Sequence, residues 1–275
     1  MKLLRCAVQS CLALCFGFAA GAALAQSAEK PFEPVSGQAG RDVVWVPTPQ
    51  ALVDKMLDMA RVTPQDYVMD LGSGDGRNII AAAKRGARAL GVEYNPKMVE
   101  YSQRAAAKEG VADKAKFVQG DMFTADISQA TVLALFLLPD NLTKLTQKFV
   151  DLKPGTRIVM NTFGIPGWEA DVTETAGGDC TVWCTGLLYI VPARVAGRWR
   201  LPRGELVLEQ KFQMLSGTLS SEGTNTPIAN GRLRGDEIVF TVGADKYAGR
   251  VNGETLEGDP KGSTKGAWKA TRARR

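Results

Sequence analysis

Val68-Met69-Asp70-Leu71-Gly72-Ser73-Gly74-Asp75-Gly76-Arg77 decides how the middle of this chain folds. Tyr67–Leu71 is short, apolar and β-prone, and a helix pattern runs from Gly76 to Arg85 before Gly86 stops it. Three glycines on alternate positions let the backbone between strand and helix turn tightly and approach a ligand without Cβ interference. The helix start behind them offers unpaired N–H groups. A dinucleotide site with pyrophosphate over the glycines asks for G-x-G-x-x-G. Here the third glycine comes one residue early, Arg77 stands where that pattern needs glycine, and Asp70 precedes the loop. Asp70 repels a pyrophosphate but accepts from an ammonium group. The combination suits a ligand with an amino-acid end and a nucleoside end.

Outward from this loop, strand candidates at Ala89–Glu93, Ala115–Gln119, Thr131–Leu137 and Arg157–Thr162 alternate with helix patterns. Thr48-Pro49 reads as the cap and opening of a helix with Leu52, Met56 and Met59 on its apolar face. Asn95-Pro96 opens another that ends at Gly110. A helix from Asp140 carries Leu142, Leu145, Phe149 and Leu152 and stops at Lys153-Pro154-Gly155. Strand–helix alternation predicts a mostly parallel sheet covered on both faces. Glu93, at the end of the second strand, can take both ribose hydroxyls of a nucleoside. Asp121-Met122, after the third, can bind an adenine amino group and pack on its ring.

These three motifs, in this order at these strand ends, resemble class I S-adenosylmethionine-dependent methyltransferases over roughly residues 46–165. The resemblance implies an α/β fold, the Rossmann-like seven-stranded methyltransferase sheet. It also implies S-adenosyl-L-methionine as cofactor. Asp70, Gly72, Ser73, Gly74 and Gly76 would shape the methionine side of the pocket, Glu93 would hold the ribose, and Asp121 with Met122 the adenine. A narrower resemblance rests on Val46-Pro47-Thr48-Pro49, on DLGSGDGR, on Phe136-Leu137-Leu138-Pro139 and on Lys153-Pro154-Gly155-Thr156. These look like a group of protein lysine methyltransferases with archaeal members and mitochondrial members acting on membrane carriers and on ATP synthase. That likeness places Thr48 and the Leu138-Pro139 turn around the transferred methyl group. Asn161, Phe163 and Trp168 follow the fifth strand, on the side where such sheets place substrates. Trp168 reads as an acceptor-channel wall or as a packed core residue, and Asp171 and Glu174 as loop carboxylates.

From about residue 195 the texture changes to short strands, Trp199–Leu201, Glu205–Phe212, Gln213–Leu219, Ile228–Leu233, Glu237–Val242 and Lys246–Val251. Turn signals stand at Gly204, Ser216-Gly217, Asn230-Gly231, Gly235-Asp236 and Asn252-Gly253. The pattern predicts a small antiparallel β domain, open or closed into a barrel. GRLRGDEIVF and GRVNGETLEG echo each other, as successive hairpins would.

The 275 residues contain no histidine, which excludes Ser-His-Asp and Cys-His catalysis and histidine-ligated metals. Lys2 and Arg5, an apolar run over residues 6–25, and Ala23-Leu24-Ala25 have the form of a secretory signal cleaved after Ala25. The expectation is export, most simply to a periplasm; the alternative is a membrane anchor over residues 6–25. Without the first 25 residues the net charge of +5 falls to +3, too weak to argue for a nucleic-acid partner. Arg272, Arg274 and Arg275 read as a solvated tail. Cys180 and Cys184 remain after cleavage, either as free thiols or as a disulfide. Four steps of strand span about 13 Å, whereas bridged Cα atoms lie about 4.4–6.8 Å apart, so a bridge requires a turn at Thr181–Trp183.

The predicted organisation is thus signal peptide 1–25, leader 26–45, S-adenosylmethionine-binding domain 46–194 and antiparallel β domain 195–275. The predicted activity is methyl transfer to a protein or small-molecule acceptor, lysine favoured, with a membrane partner only if the N-terminal segment is uncleaved. The alternative is an exported, non-catalytic binding protein that keeps this fold and recruits a partner through its C-terminal β domain. No catalytic base can be named: in-line displacement at a sulfonium needs mainly alignment and exclusion of water.

Overall fold

The computed structural model describes Lys30, residues 32–264 and residues 266–273. The proposed signal and the Arg274-Arg275 end lie outside the described residues. Lys30 and Phe32 belong to a separate unit, residues 1–32, and all that follows concerns the unit beginning at Glu33. No helix among the described residues is long and apolar enough to cross a membrane.

Seven strands form the first sheet: β1 Tyr67–Leu71, β2 Arg88–Glu93, β3 Ala115–Gln119, β4 Val132–Leu135, β5 Arg157–Asn161, β6 Val172–Thr175 and β7 Thr185–Ile190. Their order is β3-β2-β1-β4-β5-β7-β6. The first five are parallel, while β7 runs antiparallel to both β5 and β6. Side chains of β1 and β4 alternate between two cores, as the strand period of two requires. Val68, Val132 and Ala134 pack on α1 Gln50–Met59, α2 Arg77–Lys84 and α3 Pro96–Lys108 through Leu52, Met56, Ile79 and Ala106. Met69, Leu71, Leu133 and Leu135 meet α4 Pro139–Val150 through Leu142, Leu145 and Phe149. Burial on both faces explains why these strands read as continuous apolar runs.

Local signals account for most helix starts. The Asn95 side chain caps α3 by accepting from the Lys97 N–H, and prolines open α3 and α4. Thr48 does not cap α1. Pro49 holds the cap position without a side-chain bond, and Thr48 turns inward, its Oγ1 accepting from Asn161 Nδ2 at 3.2 Å. β4 ends two residues earlier than its apolar run suggests, because Phe136–Leu138 leave the sheet to line a cavity.

Eight strands close into a barrel: β8 Gly197–Leu201, β9 Gly204–Lys211, β10 Met214–Ser221, β11 Thr224–Arg234, β12 Glu237–Val242, β13 Asp245–Asn252, β14 Thr255–Gly258 and β15 Lys269–Arg272. The interior is filled by Trp199, Leu206, Leu233, Phe240, Tyr247 and Leu256 with their neighbours, as an eight-stranded barrel allows. Closure comes from β14 and from β15, a strand that no pattern in the sequence announces and that pairs with β8. Arg272 therefore belongs to a strand, not a tail: its guanidinium lies 4.3 Å over the Trp199 ring. The two similar decapeptides do fall on successive hairpins, β11–β12 and β13–β14.

Ser216-Gly217 and Asn230-Gly231 are not turns. Both lie inside long strands where the register shifts, between Leu215 and Thr218 and between Ala229 and Arg232. A Cβ on Gly217 would sit 1.9 Å from the Val207 carbonyl oxygen, so glycine here permits close strand approach at a bulge. The neighbouring chain reversals occur instead at Phe212-Gln213 and Glu222-Gly223.

The barrel docks on the sheet domain through the chain that follows β5. Trp168 stacks on Phe212 with centroids 5.0 Å apart. Arg232 pairs with Asp171 at 2.9 Å, and Gln213 Nε2 donates to the Glu169 carbonyl at 2.7 Å. Asp171 is thus a buried junction residue rather than a loop carboxylate; its other oxygen accepts from the Ile190 N–H.

Candidate cofactor and acceptor site

The strand order reverses between β1 and β4, and a cavity of about 280 Å³ opens at the carboxyl ends of these strands. The glycine loop forms one wall. Gly72, Gly74 and Gly76 all adopt positive φ, between 55° and 82°. A side chain on Gly74 would meet Trp45, and one on Gly76 would meet Phe117 and Ser102. Gly76 thus packs behind the loop and does not line the cavity. The loop is tied in place by Ser102 Oγ, which donates to the Gly74 carbonyl, and by Arg77, which pairs with Asp75 and donates to the Thr48 carbonyl.

Thr48, Asp70, Gly72, Ser73, Gly74, Glu93, Asp121, Met122 and Leu138 all line this one cavity, although they span 90 positions of sequence. Pro139 and Asn161 do not line it; Asn161 is fully buried behind Thr48. Trp168, a candidate channel wall from its position after β5, lies instead in the core between Tyr189 and Phe212. Its ring area is used to hold the barrel.

Asp70 is 3 % exposed; Asn78 Nδ2 donates to its Oδ2 at 3.0 Å, and its Oδ1 is buried with no hydrogen-bond partner. Burial pushes this carboxyl well above the usual range; Glu93 and Asp75 add to the rise and the Asn78 bond opposes it. A buried carboxylate oxygen without a donor is costly, and an ammonium bound in the cavity would supply what it lacks. Glu93 accepts from the Gly74 and Asn95 N–H groups at 2.9 Å each, which leaves further lone pairs on both oxygens. Asp121 accepts from the Phe123 N–H and from Arg41, and these, the backbone bond first, hold it below the usual carboxylate range.

A pH dependence follows. A carboxyl whose folded pKa is raised binds more protons folded than unfolded. Asp70 therefore lowers ligand-free stability as pH rises from its unfolded value through its folded one. Binding of an ammonium requires the ionised form. Calorimetry in buffers of different ionisation enthalpy is expected to show proton release on ligand binding at pH values between the unfolded and the ligand-free folded pKa of Asp70, and affinity that grows with pH until Asp70 is ionised.

Two further groups of residues complete the walls. Residues 38–47, read as leader and approach to the first helix, fold back on themselves through the Gly37–Trp45 and Gly40–Val43 bonds and cross the glycine loop. Arg41 lies 4.4 Å over the Tyr94 ring and pairs with Asp121 at 2.8 Å. Phe136, Phe163 and Trp183 make an aromatic wall. Trp183 sits in the turn of a Cys180–Cys184 disulfide with Cα atoms 5.8 Å apart. The Pro–Gly-rich texture of the leader gave no hint of this contact. The cysteine spacing did locate the turn.

A glycine loop after β1, acids after β2 and β3, and a sheet with one reversed strand define a nucleoside-cofactor transferase of the Rossmann-like methyltransferase class. A family profile described as "ANTKMT methyltransferase domain" matches residues 70–172. A protein-lysine N-methyltransferase of Saccharolobus islandicus is 45% identical over 153 residues, 54% of this chain and 94% of that one. A lysine N-methyltransferase of Mus musculus, named for its ATP synthase substrate, is 34% identical over 64% of this chain and 69% of its own length. A structure titled as an RNA methyltransferase from Salinibacter ruber, in complex with S-adenosyl-L-homocysteine, superimposes with a TM-score of 0.51 at 41% identity, over 55% of this chain and 96% of that one. The chain belongs to this family of S-adenosylmethionine-dependent methyltransferases.

Proposed function

We propose that this enzyme methylates lysine side chains of a protein acceptor. The observation that carries the reading is the 45% identity across nearly the whole length of a protein-lysine N-methyltransferase. The cavity chemistry supports it. Asp70 would hold the cofactor's ammonium, Glu93 its ribose hydroxyls, Asp121 with Met122 its adenine, and Thr48 and Leu138 would lie on the side of the transferred methyl group. When bound, the cofactor supplies an electrophilic methyl on a sulfonium. The protein's part is to align the acceptor and exclude water, here with the folded-back residues 38–47 over one side and aromatic rings on another. An apolar wall also favours the neutral, nucleophilic form of an amine by desolvation.

The purified chain, incubated with cofactor and matched peptides containing lysine, arginine or neither, and with an RNA oligonucleotide, is expected to add methyl groups to lysine alone by mass spectrometry. Methylation of RNA or arginine in place of lysine would overturn this acceptor. We further infer export after cleavage at Ala25. The signal-like pattern of residues 1–25 and a disulfide, a bond of oxidising compartments, support it. Fractionation with N-terminal sequencing is expected to find an exported chain beginning at Gln26; an intact Met1 terminus in the cytoplasm would refute it.

A further inference from the structure

Phe136 follows β4, Phe163 follows β5, and Trp183 comes from the disulfide turn, yet the three rings meet on the wall of the cofactor cavity. Phe136 and Phe163 are near parallel, 14° apart, with centroids separated by 6.1 Å. Trp183 tilts across both, at 5.9 Å and 5.4 Å. Trp183 is 38 % exposed and has a φ of 58°, a backbone conformation that a bulky residue rarely adopts. The disulfide clamps the turn that imposes it. A large ring held in the left-handed region and left partly open to solvent adds little to a core. It does line the cavity beside the Phe136 and Phe163 rings.

We propose that Phe136, Phe163 and Trp183 form a subsite for the substituted ammonium of a methylated acceptor, and that the Cys180–Cys184 bridge positions Trp183 in it. The proposal rests on the lysine reading above and names how the methylated side chain is retained. A neutral amine that takes a methyl gains the positive charge that sulfur gives up. It must then release one proton to solvent before it can take another. Ring faces attract such a cation and pack on its methyl groups. Unlike a carboxylate, they accept no strong hydrogen bond from its N–H, so the proton is free to leave. The wall therefore suits mono- and dimethylated intermediates that stay for a further turnover. The family match ends at residue 172, so Trp183 and its disulfide lie beyond the matched segment.

The test uses a cation that carries no lysine. The full chain, saturated with S-adenosylhomocysteine, is titrated with tetramethylammonium and with its neutral isostere 3,3-dimethylbutanol. Tetramethylammonium is expected to bind about tenfold more tightly than the isostere. Trp183→Ala is expected to lose about tenfold, and Trp183→Phe to stay within about threefold of wild type. Cys180→Ser/Cys184→Ser is expected to behave as Trp183→Ala does. Binding of S-adenosylhomocysteine by each variant verifies that it is folded. Equal affinity for cation and isostere, no cation binding by wild type, or an unaffected Trp183→Ala overturns the subsite. A serine pair that binds as wild type overturns the role of the disulfide. Failure of the lysine reading is separate: it shows as unmethylated peptides while the cation still binds.

Discussion

Asp70→Asn is expected to lower affinity for S-adenosylmethionine and S-adenosylhomocysteine by roughly 30- to 150-fold, the about 2–3 kcal/mol carried by a hydrogen bond to a charged group. The substitution keeps the size of the side chain and an oxygen for Asn78 Nδ2 to donate to. It removes the charge that a cofactor ammonium needs. The same change is expected to leave the ligand-free protein as stable as wild type, or more so, at neutral pH. It deletes a buried acid whose ionisation is opposed by burial and by Glu93 and Asp75. Calorimetric binding and thermal unfolding together check this. Loss of both binding and fold would mean that Asp70 is structural; unchanged binding would mean that the ammonium lies elsewhere. The pH-linked proton release should vanish in the variant.

Trp168→Ala is expected to destabilise the protein by about 3–5 kcal/mol, the range for removing a large core aromatic. The ring is 3 % exposed, stacked on Phe212 of the barrel and edge-on to Tyr189 of β7. The loss should appear as a lower unfolding midpoint, with Trp168→Phe intermediate. An acceptor-channel residue would instead change the Michaelis constant with little effect on stability. Because the same stretch carries Phe163 before Trp168, acceptor affinity is expected to fall in parallel with stability, as the barrel's grip on the chain after β5 loosens. Such coupling would show that the barrel, through its contacts at Phe212, Gln213 and Arg232, braces the chain that carries Phe163.

The parallel sheet and its cofactor loop were legible because their signals are local. Alternating cores show in the apolar runs of β1 and β4, and Asn95-Pro96 caps and opens α3 from adjacent residues. Asp70, Glu93 and Asp121 each stand at a strand end, and a parallel sheet brings such ends to one edge whatever the loops do. Thr48 was legible as a residue near the cavity and not as a buried partner of Asn161, since that bond joins residues 113 positions apart. In the barrel, Gly217 and Gly231 looked like turns because glycine marks both turns and close strand approach.

By itself the sequence determined the strand–helix alternation, the glycine loop with its buried acid, the acids at two further strand ends, and the turn that a Cys180–Cys184 bridge requires. These depend on periodicity and on neighbours within a few residues. Tertiary structure alone decided that Arg41 reaches Tyr94 and Asp121 and Trp45 packs on the glycine loop, that Trp168 holds the barrel, that β15 closes it on β8, and that Trp183 joins Phe136 and Phe163. Those contacts bring together segments far apart in the chain. Packing selects them by shape and burial, and neither leaves a period in the sequence.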